Sequence, residues 1–205
     1  MNATKKYFTQ DFIKFFKELE SNNNKEWFNK NKPSYEEFVD IPFNLFVKRL
    51  LEILYKLDGT IRINASEAIF RLNRDLRFSK DKSPYKVFKS ALISSKGKRN
   101  KAEPGFYLEI GATDIKISGG CFKLTPKQMK HIDNNMHLIN PIISKQTFVS
   151  YCGELKKTKS SLTFETLLSS ELVSSDELDI LILTHWQIML PVVNIFKEIL
   201  KQEKQ

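Results

Sequence analysis

The sequence predicts an α+β fold: N-terminal helices, a central antiparallel sheet and C-terminal helices. Three observations carry this. Apolar residues recur at helical spacing from Phe12 to Leu57, alternate like strands between Thr60 and Ser118, and return to helical spacing near the C-terminal end. Helices, then strands, then helices is not the strand–helix alternation of a parallel sheet. The connection between the Gly105–Gly111 and Asp114–Ser118 runs is short enough for a hairpin and too short for a parallel crossover. No internal repeat or long linker divides the 205 residues, so one domain spanning 1–205 is expected.

Thr9 is the expected cap of a first helix carrying Phe12, Phe16 and Leu19, with Ile13 widening the stripe. Asn22-Asn23-Asn24 stops it and caps a short helix through Trp27 and Phe28. Pro33 suits a first helical position. From Tyr35 to Leu57 the helical period continues through Phe38, Ile41, Leu45, Leu50 and Leu54, with Pro42 expected to kink it. Asp58-Gly59 ends it. Thr60–Asn64, Phe70–Phe78, Phe88–Ser94, Gly105–Gly111 and Asp114–Ser118 read as strands. Gly119-Gly120 reads as a break or bulge, and Thr125-Pro126 as the start of a helix through Met129 and Ile132. Residues 158–163 read as a loop. A final helix is expected from Trp186 to Gln202, with Pro191 shifting its start.

Sixteen Phe and only seven Gly argue against disorder and against a Gly-rich nucleotide-binding loop. Cys121 and Cys152 show no CxxC or metal-ligand spacing and are expected as free thiols in a reducing compartment. The start lacks a signal-peptide run, and no eighteen uninterrupted apolar residues occur. A cytoplasmic protein without a membrane span is the resulting expectation. His131, His137 and His185 are dispersed, so no metal site is expected, and no cofactor motif is evident.

The net charge is +9, and it is local. Arg71 to Lys101 holds 11 Lys or Arg against two Asp, while the rest of the chain balances. Its first half, RLNRDLRFSKDKSPYK over 71–86, concentrates the chemistry. Arg71, Arg74 and Arg77 offer forked donors to phosphate or carboxylate. Lys80, Lys82 and Lys86 add point charges, and Ser79, Ser83 and Tyr85 add hydroxyl groups. In an extended chain Arg74 falls on the apolar face, where a guanidinium needs a partner. Asp75, Asp81 and Glu109 are the expected structural partners of this Arg cluster. A carboxylate facing arginines is depressed in pKa and makes a poor base at neutral pH. Aromatic residues, among them Phe70, Tyr85, Phe88 and Tyr107, interleave with the cations, as in surfaces that hold single strands.

RLNRDLRFSKDKSPYK also resembles the signature of a family of conserved hypothetical proteins, the domain of unknown function 2461. The resemblance extends upstream over FTQDFIKFFKELESNNNKEWFNKNKPSYEEF and downstream to PGFYLEIG and Gly119-Gly120, covering about residues 8–135. In the last third, Gly153-Glu154-Leu155-Lys156-Lys157 resembles one family segment. The Pro-Lys-Gly-Phe and His-Pro segments are replaced by a stretch that includes Thr163-Phe164-Glu165. The resemblance implies a fold unit and no activity.

The expected function is therefore anion binding through the 71–86 motif. The ligand would be a phosphorylated small molecule or a nucleic-acid backbone. The alternatives are a non-enzymatic protein docking an acidic partner and an enzyme with an Arg-lined substrate pocket.

Overall fold

A computed structural model describes residues 6–77 and 80–202. Helix α1 (Gln10–Ser21) starts where Thr9 Oγ1 accepts from the Asp11 N–H at 3.3 Å. Helix α2 (Lys25–Lys30) starts where Asn24 Oδ1 accepts from the Trp27 N–H at 2.9 Å. Helix α3 (Lys32–Tyr35) carries Pro33 in its first turn and runs through a π turn, Glu36–Asp40, into α4 (Ile41–Leu57). Pro42 has no N–H to donate, and the wider π turn directly before it absorbs that defect without breaking the helix. Phe8, Phe12, Phe16 and Leu19 pack with Phe43, Phe46 and Leu50 as a Phe-rich core.

The sheet is antiparallel throughout. Its strands are β1 (Phe88–Ile93), β2 (Gly105–Gly111), β3 (Asp114–Cys121), β4 (Lys156–Lys157) and β5 (Leu162–Ser169), in spatial order β1-β2-β3-β5-β4. Ala91 faces Leu108, and Leu108 faces Ile117. This row, with Ile93, Phe106, Ile110, Ile115 and Phe164, forms the buried face. The opposite face carries Ser90, Tyr107, Glu109, Lys116, Ser118 and Glu165, which follows from the two-residue period.

Helix α5 (Ala65–Ala68) is a single turn before β1, helices α6 (Pro126–Asn134), α7 (Asn140–Ile143) and α8 (Gln146–Cys152) lie between β3 and β4 in sequence, and α9 (Leu178–Gln202) follows β5. Thr125 and Gln128 form a reciprocal cap on α6, at 3.2 and 3.0 Å. Helix α9 is long and apolar enough, by length and composition, to cross a membrane. Here Ile182, Trp186, Met189, Val193 and Phe196 are core, and Trp186 meets Phe106 at 5.3 Å between ring centroids.

Several elements differ from the sequence expectation. Thr60–Asn64 is not a strand: Asp58 Oδ1 accepts from the Thr60 N–H, and Glu67 Oε2 accepts from the Asn64 N–H, so turn and cap consume the segment. Residues 69–77 form only isolated bridges, Ile69 with Ala91 and Asn73 with Tyr85. Asp75 and Asp81 accept from the N–H groups of Arg77 and Ser83, which diverts the backbone from a ladder. The rest of that expected strand, Phe78, lies outside the described residues. Gly119-Gly120 is neither a break nor a bulge. Both lie inside β3, paired with β2 on one side and β5 on the other. A Cβ on Gly119 would sit 2.7 Å from Met189 Sδ, so the glycine sets how closely α9 packs on the sheet. Strand β5 was not expected. Helix α9 begins eight residues before Trp186 and holds Pro191 in its interior, where Gln187, whose carbonyl loses its partner, is exposed.

Candidate anion-binding site

The basic motif is an arm on the β1 edge. Phe70 N–H donates to the Ser90 carbonyl at 2.9 Å, Arg74 N–H to Pro84 at 2.9 Å, and Lys86 N–H to Leu72 at 3.0 Å. Two contacts fasten the arm to the helices. Asn23 exchanges a pair of hydrogen bonds with the Tyr85 backbone, at 3.0 and 3.1 Å. Tyr85 stacks on Phe28 with ring centroids 4.2 Å apart. Tyr85 is thereby buried, a packing residue at the base of the arm.

At the tip, cations meet carboxylates of the same motif. Arg74 Nη1 pairs with Asp81, and Arg77 Nη2 pairs with Asp75 at 2.6 Å. Arg74 thus has the partner its position demanded. Ser83 Oγ donates to Asp81 at 2.7 Å, and Lys82 Nζ donates to the Leu76 carbonyl at 3.2 Å. Arg77 and its hydrogen bonds push Asp75 down to about 2, and Ser83 with Arg74 does the same for Asp81. Lys80 and Arg71 are exposed. Ser79 lies outside the described residues.

Glu109 does not touch the arginines in any described contact. It sits on β2, accepts from the Tyr107 hydroxyl at 2.5 Å, and its charge raises the pKa of Lys86. Burial first, and then Glu109, push the Tyr107 hydroxyl up, so it stays a neutral donor.

A second grouping forms where the arm crosses the polar face of the sheet. Phe70, Lys86, Leu92, Lys101, Tyr107 and Phe122 line a cleft of about 250 Å³. Lys86 Nζ lies 5.3 Å and Lys101 Nζ 5.0 Å from the Phe70 ring centroid. Phe70 meets Tyr107 at 6.2 Å, and Tyr107 meets Phe122 at 5.7 Å. Burial lowers the pKa of Lys86, an effect that Glu109 opposes. Of the motif's cations, only Lys86 lines this cleft. Lys101 and Phe122 were not singled out as site residues from the sequence. Lys101 closes the segment that holds the charge excess, and that was the available signal.

The profile of a conserved hypothetical protein family (DUF2461) matches residues 11–166, which contain the arm, the cleft and strands β1 to β4. The chain belongs to this family. The family match ends within β5, at Thr166, so the fifth strand's last residues and α9 complete the fold beyond it. No curated protein matches the chain.

Other reactive groups have ordinary structural surroundings. Cys121 and Cys152 are buried free thiols, and burial raises both, Cys152 to about 12, which removes them as neutral-pH nucleophiles. Among the described residues no group of His, Cys, Asp and Glu has the arrangement of a metal site. From Ser160 to Phe196 the chain has five acidic residues and no Lys or Arg, and these do not meet the basic arm in any described ion pair: Glu165 holds Lys116 and Lys156, each at 2.8 Å, and Asp179 holds Arg49 at 3.8 Å.

Proposed function

We propose that the protein binds a phosphate-bearing ligand in the cleft formed by Phe70, Lys86, Lys101, Tyr107 and Phe122. One observation supports this above the others. Two ammonium groups lie 5.3 and 5.0 Å from the centroid of a single aromatic ring, and neither is in an ion pair with a carboxylate among the described residues. Unlike Arg74 and Arg77, these cations have no carboxylate within salt-bridge reach among the described residues. Burial of Lys86 strengthens its attraction to an anion, because a partly dry charge is poorly screened. The aromatic walls favour a ligand that joins its phosphate to a planar group. In this reading the arm's arginines and aspartates are a brace that holds Phe70 and Lys86 in place.

Calorimetric titration with AMP at low salt tests the reading. Wild-type protein binds, and Lys86→Ala weakens binding about tenfold or more, the worth of one charge-assisted hydrogen bond. Absence of binding, or wild-type affinity in both Lys86→Ala and Lys101→Ala, would overturn it.

A further inference from the structure

We propose that the ligand is a single-stranded nucleic acid, with one base in the aromatic cleft and its backbone continuing over Lys101 into a neighbouring basic cavity. The inference rests on the phosphate-binding reading and extends it. The cleft, about 250 Å³, is smaller than the roughly 300–1,000 Å³ of sites for drug-sized molecules. It suits one planar ring, with the remainder of the ligand outside.

Lys101 also lines a second cavity, of about 330 Å³, with Lys98, Arg99 and Lys123. Among the described residues no carboxylate lines that cavity. Two of its cations have structural duties. Lys98 Nζ donates to the Ser66 and Ile69 carbonyls at 2.7 and 2.8 Å, and Arg99 pairs with Glu67 at 2.9 Å. Lys101 and Lys123 are exposed and without an ion pair among the described residues. They extend the positive charge of Lys86 beyond the cleft, where a lone small ligand would not reach.

The other side of Lys86 differs. The cavity there, about 500 Å³, is lined by Glu20, Asp75 and Asp81 against Arg74 and Lys86. With Asp81 and Asp75 already paired to Arg74 and Arg77, and Glu20 beside them, that cavity offers no surplus of positive charge, so the backbone has one favoured direction, from Lys86 towards Lys101 and Lys123. The rings at 6.2 and 5.7 Å spacing form a continuous wall on which an unstacked base can lie. A duplex keeps its bases stacked inside and cannot offer one to a recessed cleft.

Fluorescence anisotropy with a labelled oligothymidylate of about twelve nucleotides, over a salt series, tests this beside AMP. Neutralisation of phosphates by Lys86, Lys101 and Lys123 predicts a log–log salt slope of about −2, at roughly −0.7 per phosphate. Lys101→Glu, on the surface and away from the core, lowers affinity at least about tenfold and flattens the slope by about 0.7. Phe70→Leu weakens binding about 5- to 100-fold through lost stacking. Lys14→Glu, an equal charge change on α1, has no effect, and a duplex of the same length binds more weakly. If AMP binds and the oligonucleotide binds no more tightly, the extension falls and the cleft reading stands. If neither binds, both fall. Equal losses in Lys101→Glu and Lys14→Glu would also overturn the extension.

Discussion

Lys89 Nζ, on a side chain 3% exposed, donates to Asp40 Oδ1 at 2.6 Å and joins β1 to the π turn before α4. The same ammonium donates to the Tyr35 hydroxyl at 3.0 Å and lies 5.6 Å from the Phe43 centroid. Burial, followed by Asp40, raises the Tyr35 pKa, so its hydroxyl stays protonated. Tyr35 itself donates to Asp40 at 3.1 Å. The strand that supports the arm is thus fixed to the helical layer by one buried cation.

Removing the anion strands that cation. Asp40→Ala is expected to cost about 3 kcal/mol, the low end for breaking a buried pair, because Asp40 is itself 37% exposed and water can approach. Lys89→Met costs less, since it leaves a carboxylate that water reaches and a site of similar shape. Urea unfolding of both variants checks the order. Equal losses would mean that packing alone, and not charge, sets the cost.

The arm's tip has its own pH signature. Asp75 and Asp81 are both held at about 2, below the ordinary aspartate value of about 3.9. Depressed carboxylates stabilise the fold above the ordinary value, and the contribution is lost as pH falls from about 4 through 2. Carboxyl-carbon NMR titration should give midpoints near 2 for both. Arg77→Ala returns Asp75 towards the ordinary range and leaves Asp81 low. Arg74→Ala leaves Asp81 still depressed, because the Ser83 N–H and hydroxyl hold it at 2.9 and 2.7 Å.

Gly120 has a φ of +135°, and a Cβ there would sit 2.2 Å from the Leu162 carbonyl oxygen. Gly120→Ala therefore strains the backbone and forces β3 from β5. A loss of about 2 kcal/mol or more is expected in thermal or urea unfolding. A loss below about 0.5 kcal/mol would show that the β3–β5 pairing yields easily.

The N-terminal helices were legible because capping and periodicity agree: Thr9, Asn24, Pro33 and the Phe stripe point to the same boundaries. Strands β1 to β3 were legible for the same reason. Strand β5 was missed although Leu162 and Phe164 alternate with Thr163 and Glu165, because the Ser/Thr/Lys run before it reads as a turn. The start of α9 was missed because Pro191 normally argues for a boundary, and only burial of the surrounding faces outweighs it.

For the candidate site, the charge excess located the neighbourhood. Composition cannot show which cations a carboxylate already holds. Asp75 and Asp81 lie inside the motif, so their pairing with Arg77 and Arg74 was foreseeable in kind. The meeting of Phe70, Lys101 and Phe122 was not, since it depends on the register of β1 with β2 and on where the arm crosses them.

The most direct test of the account is an NMR titration of the isotope-labelled protein with AMP, read at side-chain ammonium and aromatic signals. Binding in the cleft predicts that shifts cluster at Phe70, Lys86, Lys101, Tyr107 and Phe122, while Arg74 and Arg77 stay in place. Shifts confined to the arginines and lysines of the arm's tip, or no shifts at all, would contradict it.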